Sequence, residues 1–423
     1  MLRAPRGTHD ILPSDQPTRR HIVATAQQLA ELAGYRGFEP PTFEQADLFI
    51  RGVGAGTDIV EKEMYLFEDR SGDRLALRPE GTASACRAYL EHGMANQLQP
   101  VKLHYHLPIF RYERPQAGRF RQHTQFGIEA IGIRDAALDA EVIELGWRIP
   151  EALGIKHLTL SINSIGDAQD RQRYVPLLRD HFRPHRDNLC DDCRDRFERA
   201  PLRLLDCKED RCQPFRTGAP RMSEHLRPES KAYYDELQLS LDAIGIPFKE
   251  RPTLVRGLDY YTHTVFEIEP PTSGSQVTLI AGGRYDGLIE ELGGPHTPGI
   301  GFGMGIERLA LTLDAQGLGA VLPPAPPVVL VHLGAAARRA AARIASDLRR
   351  EGIGAHLVFG DRSLKAQLRH AGRTGARMAV IIGERELQQG QATIRDLADS
   401  QQREVAIDRV VAELAAADLY TEE

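Results

Sequence analysis

Residues 254–261 read Leu-Val-Arg-Gly-Leu-Asp-Tyr-Tyr, which places a permanent cation (Arg256), a carboxylate (Asp259) and two phenols (Tyr260, Tyr261) within six positions. Such density suggests chemistry more than packing; an edge strand with solvated ends is the plain alternative. A second segment, Leu77-Arg78-Pro79-Glu80-Gly81-Thr82, follows a turn at Ser71-Gly72-Asp73 that joins two short strands. Its proline stops the strand. Glu80 and Thr82 then stand at a strand-to-helix junction, where an acid and a hydroxyl suit an α-ammonium group through charge-assisted bonds. Thr82 or Ser84 equally suits an ordinary cap for the helix that follows.

Residues 108–129 read as two strands around a basic loop. Arg111, Arg114, Arg119 and Arg121 lie so close that their mutual repulsion calls for an anion, which nucleotide phosphates or an RNA end would supply. A solvated basic hairpin is the alternative. Glycine recurs at 299, 301, 303 and 305, and glycine is a poor strand former, so something must approach that backbone closely. Arg308 falls in the first turn of the helix beyond. Neither this run nor Gly52, Gly54 and Gly56 has the spacing of a P-loop or a dinucleotide fingerprint.

In their order along the chain, 77–82, 108–129, 254–261 and 299–309, the segments resemble the histidyl-tRNA synthetases. The 254–261 octet is similar to their histidine-specific signature, Phe110-Arg111-Tyr112-Glu113 to motif 2 of class II synthetases, and residues 299–309 to motif 3. Motif 1 is fainter at 34–44, with Pro41 in its proline position; residues 60–65 and 281–287 extend the likeness over essentially the whole chain. The resemblance implies an α+β fold: an antiparallel-sheet catalytic core with a helical insertion, then a small α/β anticodon-binding domain. It implies ATP-dependent activation of L-histidine and its transfer to the 3′ end of histidine tRNA, with Mg2+ on the outer phosphates. A homodimer follows too, since motif 1 builds the class II interface.

Carried onto matching positions, the resemblance makes Arg256 and Arg111 the catalytic arginines at the α-phosphate. Glu80, Thr82 and Gln125 meet the histidine amino group, Arg256 is also near its carboxylate, and Glu129 and Tyr261 face the imidazole, with Gly81, Tyr260 and Tyr285 in the same histidine site. Arg111, Glu113, Arg119, His123 and Arg308 bind ATP, Arg308 at the γ-phosphate; His123 stands where the family usually has a phenylalanine stacked on adenine. Gln116 and Arg121 match positions that read the extra 5′ guanosine of bacterial histidine tRNAs. The rival within the same core is the catalytically silent paralogue that regulates ATP phosphoribosyltransferase. Such paralogues usually lose motif residues and the anticodon-binding domain, and this chain keeps Arg111, Arg256, Arg308 and a C-terminal α/β segment.

The elements that must position these residues begin with an amphipathic helix over 14–34, capped by Ser14, with Ile22, Ala26, Leu29 and Ala33 on one face. Strands are expected at 101–106, 109–113 and 126–131, a helix at 135–153 and a strand at 158–163. Residues 167–245 turn helical and charged, an insertion before the catalytic pattern resumes at Thr253 and a strand runs over 262–269. The proline-rich stretch 323–327 reads as a stiff linker between a catalytic core, 1–322, and a second domain, 328–423. Beyond it, apolar runs at 328–331, 355–358 and 378–382 alternate with helical stretches, as in a small parallel or mixed α/β domain. Arg362, Lys365, Arg369, Arg373 and Arg377 recur every three to four residues there, the first three or four on one helix face. Resemblance to the anticodon-binding domain gives Arg362, Lys365 and Arg369 to tRNA.

At 423 residues the chain exceeds one ordinary core, and its net charge of −6 leaves RNA binding to local patches. No apolar run reaches membrane-spanning length and the first residues hold no apolar signal core, so a cytoplasmic protein without membrane contact is expected. Of five cysteines, Cys190 and Cys193 are followed by Cys207 and Cys212, a grouping that can hold zinc. Against that, the second pair is split by four residues, Cys86 stands apart, and the family resemblance implies no metal. Reduced, unligated thiols and no metal site are expected.

Overall fold

The computed structural model describes residues 2–54, 56–115, 118–271, 278–320, 326–360, 362–417 and 419. The chain divides into two compact units, residues 1–321 and 322–423. Strands of the first unit are β1 (Arg36–Gly37), β2 (Phe43–Gln45), β3 (Leu66–Glu68), β4 (Arg74–Leu77), β5 (Val101–Phe110), β6 (Gln122–Ile131), β7 (Thr159–Ser164), β8 (Phe248–Glu250), β9 (Thr262–Glu269), β10 (Ile280–Arg284) and β11 (Gly299–Gly305). Eight of them form one sheet in the order β1-β5-β6-β11-β10-β9-β7-β8, while β2, β4 and β3 make a separate small sheet. Neighbours in the large sheet run antiparallel except at its edges, where β1 is parallel to β5 and β8 to β7.

One face of that sheet is apolar because its strands alternate. Phe126, Ile128, Phe266, Ile268, Ile300 and Phe302 pack against helices Gln16–Leu32, Ala136–Ala152 and Ile306–Ala315. In the first helix Ile22, Ala26 and Ala30, four apart, are buried on one stripe, and Asp135 caps the second by accepting from the Ala137 N–H at 2.8 Å. Each such aliphatic or aromatic side chain contributes about 1.5–3 kcal/mol on burial. Ser14 does not cap the first helix, whose N-cap position is Asp15.

Two expectations change. The strands foreseen at 101–106 and 109–113 are one strand, β5, paired along its length with β6, which is itself longer than the strand foreseen at 126–131. Pro108 is tolerated because β1 covers β5 only at Leu103 and His104, leaving the proline on an open edge. The foreseen insertion is also not one body. Its last helix, Pro228–Ala243, returns Tyr234, Leu237 and Leu241 to the main core, whereas Tyr174, Leu178, Phe197 and Leu204 pack on the opposite, cleft side of the sheet.

In the second unit β12 (Val328–His332), β13 (Ala355–Leu357), β14 (Met378–Ile382), β15 (Gln391–Asp396) and β16 (Gln402–Ala406) form a sheet ordered β13-β12-β14-β15-β16. The first three are parallel and the last two antiparallel, a mixed sheet. All five residues of β12 are buried, as a central parallel strand requires. Ser363 caps the helix Leu364–Arg373, so Arg362 precedes the helix and only Lys365, Arg369 and Arg373 share its face. Residues 323–325 of the foreseen linker lie outside the described residues. Among the described residues no helix is long and apolar enough to cross a membrane.

Candidate active site

On the second face of the large sheet a cleft of about 530 Å³ opens over β6, β11, β10 and β9. Strand alternation sends Gln125 and Glu129 to this face while Phe126 and Ile128 serve the core. Gly299, Gly301 and Gly303 of β11 explain themselves here. A Cβ on Gly301 would sit 2.1 Å from Glu129 Oε2, on Gly303 1.7 Å from Gln125 Nε2, and on Gly299 2.2 Å from the Tyr285 ring. The close approach foreseen at this backbone is made by the site's own side chains.

One end of the cleft is acidic, phenolic and buried. Both oxygens of Glu80 accept backbone N–H groups, from Thr82 at 2.6 Å and Ala83 at 2.8 Å, so Glu80 satisfies the start of helix Thr82–Glu91 and burial raises its pKa. Neither Thr82 nor Ser84 caps that helix. The Thr82 hydroxyl instead donates to Glu129 at 2.8 Å, as do Tyr105 at 3.0 Å and Tyr285 at 2.5 Å. Glu129 is fully buried with no cation against it, and burial pushes its pKa up to about 8, the hydroxyl donors opposing only in part. The rings of Tyr260 and Tyr261 stand 4.7 Å apart.

The other end is cationic. Arg111 donates to the Pro79 carbonyl at 2.7 Å and lies 3.9 Å from Glu113, which also faces Arg119 at 3.4 Å. Arg308 donates to the Gly118 and Thr278 carbonyls, each at 3.1 Å; burial and then the neighbouring Arg119 lower its pKa. His123 is held neutral, its pKa drawn down to about 4 by burial and then by Arg111. Between the two ends stands Arg256. Its Nη1 lies 2.5 Å from Glu267 Oε1, and its guanidinium is 5.8 Å from the Tyr261 ring centre.

Of the residues foreseen from sequence, Glu80, Thr82, Arg111, Glu113, Arg119, His123, Gln125, Arg256, Tyr260, Tyr261, Tyr285 and Arg308 share the cleft wall. Glu129 lies one side chain behind that wall, beneath Thr82 and Tyr285. Gly81 is off it as well, at a place where a Cβ would strike the Tyr105 ring at 2.5 Å. Arg121 stacks its guanidinium 3.6 Å over the Tyr112 ring, and Gln116 lies outside the described residues. Asp259 is not on the wall; its carboxylate lies against Gly54. Arg362, Lys365 and Arg369 belong to the second unit and are exposed.

Sequence reasoning missed Glu267, which pairs with both Arg256 and Arg251, and Tyr105, which supports Gly81 and Glu129. The alternation of β9 carried the first signal, because Phe266 and Ile268 face the core and leave Glu267 on the arginine side. The grouping of Cys190, Cys193, Cys207 and Cys212 raised from sequence is present, with all four Sγ atoms within 4.8 Å of one another, a convergence that the expectation of unligated thiols did not require. The wider second spacing is closed by a 3-10 turn, Asp210–Cys212, that spacing alone does not disclose.

The cleft can therefore hold a small zwitterion with a polar ring at one end and a polyanion at the other, with Arg256 touching both. Known proteins agree. A sequence model of histidyl-tRNA synthetase matches residues 7–168 and 223–309, and one of the anticodon-binding domain matches 327–417. A histidine–tRNA ligase of Dehalococcoides mccartyi is 52% identical over 98% of this chain and 99% of its own. The crystal structure of apo S. aureus histidyl-tRNA synthetase superposes with a TM-score of 0.81 at 38% identity, covering 98% of this chain and 100% of that one. A Bacillus halodurans structure described as an ATP phosphoribosyltransferase regulatory subunit/histidyl-tRNA synthetase shares the fold at 23% identity and a TM-score of 0.64, covering 90% of this chain and 98% of that one. Full-length likeness to ligases at about half identity does not favour the regulatory alternative, and the chain belongs to the histidyl-tRNA synthetase family.

Proposed function

We propose that the cleft joins histidine to ATP and passes the histidyl group to tRNA with the residues named above in the following roles. The reaction itself, ATP-dependent ligation of histidine to its tRNA, is that of the family. The observation that carries the residue assignment is Arg256, poised between the acidic pocket and the arginine wall and paired with Glu267 at 2.5 Å. The attacking histidine carboxylate is already ionised, so activation needs no general base; it needs anions gathered and charge stabilised at the α-phosphate. Arg256 and Arg111 supply that charge, and Arg308 with Arg119 holds the outer phosphates.

Glu80, Thr82 and Gln125 take the amino group. An ionised carboxylate has about four acceptor sites; at Glu129 the hydroxyls of Thr82, Tyr105 and Tyr285 fill three and cover it, so a ring N–H reaches it when Thr82 or Tyr285 gives way. Tyr261 donates to the bare ring nitrogen, with Tyr260 and Tyr285 closing the pocket. His123, neutral and on the wall, lies against the adenine. Magnesium prefers oxygen ligands and accompanies phosphates; the carboxylate of Glu113, beside Arg119, suits it, and the ion would neutralise the outer phosphates. Arg121 meets the tRNA acceptor end, and Lys365, Arg369 and Arg373 present a cationic face to the anticodon arm. A homodimer through the 34–44 segment, whose β1 is an edge of the large sheet, and work in the cytoplasm complete the proposal.

The test is ATP–pyrophosphate exchange with each candidate amino acid. Histidine alone should support it, and Arg256→Ala should slow it by about 10²–10³-fold, the usual loss on removing a transition-state charge donor. Exchange at the full rate in the folded variant removes Arg256 from its role.

A further inference from the structure

The family model leaves residues 169–222 unmatched, and that stretch contains the four-cysteine cluster. Cys193, Cys207 and Cys212 are buried and Cys190 half-buried, and none forms a disulfide. The Cys190 and Cys207 sulfurs are 3.8 Å apart. A disulfide needs about 2.05 Å. Four thiolates about 2.3 Å from a central zinc in a tetrahedron lie about 3.8 Å from each other, so the cluster has the size of a single-ion cage. Sulfurs confined within 4.8 Å are too close to enclose a polynuclear iron–sulfur cluster.

Backbone donors already point at two of the sulfurs. Cys190 is the N-cap residue of the helix Asp191–Arg199, and its Sγ accepts the Cys193 N–H at 3.4 Å. Cys212 Sγ accepts the Cys190 N–H at 3.2 Å. A helix N-terminus and backbone N–H donors stabilise negative sulfur, and such donors fix metal-bound thiolates in place. Arg216 donates to the Cys207 carbonyl at 2.8 Å and Arg211 to the carbonyls of Asn188 and Leu189, so cations stand near the doubly negative charge that four thiolates and one zinc would carry. Leu189, Phe197, Leu204 and Leu205 exclude water around the cluster. Neutral thiols, weak donors and weak acceptors, would give three buried sulfurs and a half-buried one little to do for one another.

We propose that Cys190, Cys193, Cys207 and Cys212 bind one zinc ion in a closed, all-thiolate structural site. Four protein ligands leave no open position, so the ion is a fastener and not a catalyst. What it fastens is the cleft: Asp206 and Lys208, on either side of Cys207, and Arg216 all belong to the cleft wall.

The full-length protein, expressed with zinc in the medium and dialysed against a weak chelator, should retain one zinc per chain by elemental analysis. Cobalt(II) in place of zinc should give the intense visible bands of a tetrahedral four-sulfur site. Cys207→Ser should lose the stoichiometric metal and Cys86→Ser should keep it. Metal-free protein that takes up neither zinc nor cobalt, iron in place of zinc, or full zinc retention in Cys207→Ser would each overturn the proposal. Because the cobalt spectrum is read on the unaltered chain, a variant that fails to fold leaves the test intact.

Discussion

Two carboxylates of the first unit are equally inaccessible to water, Glu129 on β6 and Asp139 on the helix Ala136–Ala152, yet their company differs. Asp139 faces the buried guanidinium of Arg284 at 2.9 Å and the Thr264 hydroxyl at 2.7 Å; Arg284 in turn holds Asp286 at 2.6 Å. Among the described residues Glu129 meets three hydroxyls and no cation. Burial raises both pKa values, to about 6 for Asp139, where Arg284 opposes it, and to about 8 for Glu129. Near neutral pH the first is therefore largely a charged, paired group and the second largely a proton carrier. Consecutive residues serve the two: Arg284 turns to Asp139 and Tyr285 to Glu129. A buried acid with its own cation is settled structure, whereas one without a cation can still change state when a ligand arrives.

The comparison breaks first on stability. Asp139→Ala strands the Arg284 charge in the interior and should cost about 3–5 kcal/mol, read as a shift of the first unit's denaturant transition. A loss below about 1 kcal/mol would mean that Arg284 finds water or Asp286 enough.

Next comes Glu129→Gln, which should raise the histidine KM by about 10–100-fold, the worth of a charged hydrogen bond, with the ATP KM nearly unchanged. Since an ionised carboxylate accepts the ring N–H more strongly than a neutral one, the wild-type kcat/KM for histidine should climb with pH through about 8, and the variant should lose that climb. An analogue lacking the facing ring nitrogen should suffer less; equal losses would show that Glu129 supports the fold instead. Stability gives an opposite slope. The folded chain keeps the Glu129 proton up to about 8 while the unfolded chain releases it near 4.5, so this contribution is complete below 4.5 and is lost as pH rises through 8. The slope is about 1.4 kcal/mol per unit. Melting scans should find Glu129→Gln gaining on wild type as pH increases.

The smallest effect belongs to Tyr285→Phe. Losing one hydroxyl donor costs about 1 kcal/mol, and because that donor favours the ionised carboxylate, its removal should move the histidine pH midpoint above 8. A midpoint that falls would mean Tyr285 was holding the protonated form.

Much of this was legible in the chain. The strand at 262–269 and the helix around 136–152 follow from alternation and from Asp135, because local pattern and burial agree there. Twelve foreseen residues share the cleft wall, since motif spacing fixes which strand each one rides. What stayed hidden depends on partners far along the chain. Glu80 looks like a free ligand acid until helix Thr82–Glu91 is seen to need its oxygens, and Glu129 looks exposed until Thr82, Tyr105 and Tyr285 are folded over it. The cysteine cage required a 3-10 turn to bring Cys212 back to Cys190.

The bare strand β11 limits how this sequence can change. Where a glycine has an ordinary φ and open space beside it, as at 287 and 372, exchange for alanine is a modest change. At 299, 301 and 303 even one methyl group would occupy space held by Tyr285, Glu129 or Gln125. Neighbouring strands cannot yield without spoiling the pairing on both sides of β11. The depth of the pocket is thus set by an absence of atoms, and a mutational scan of this chain should find the three sites as intolerant as the charged residues they accommodate.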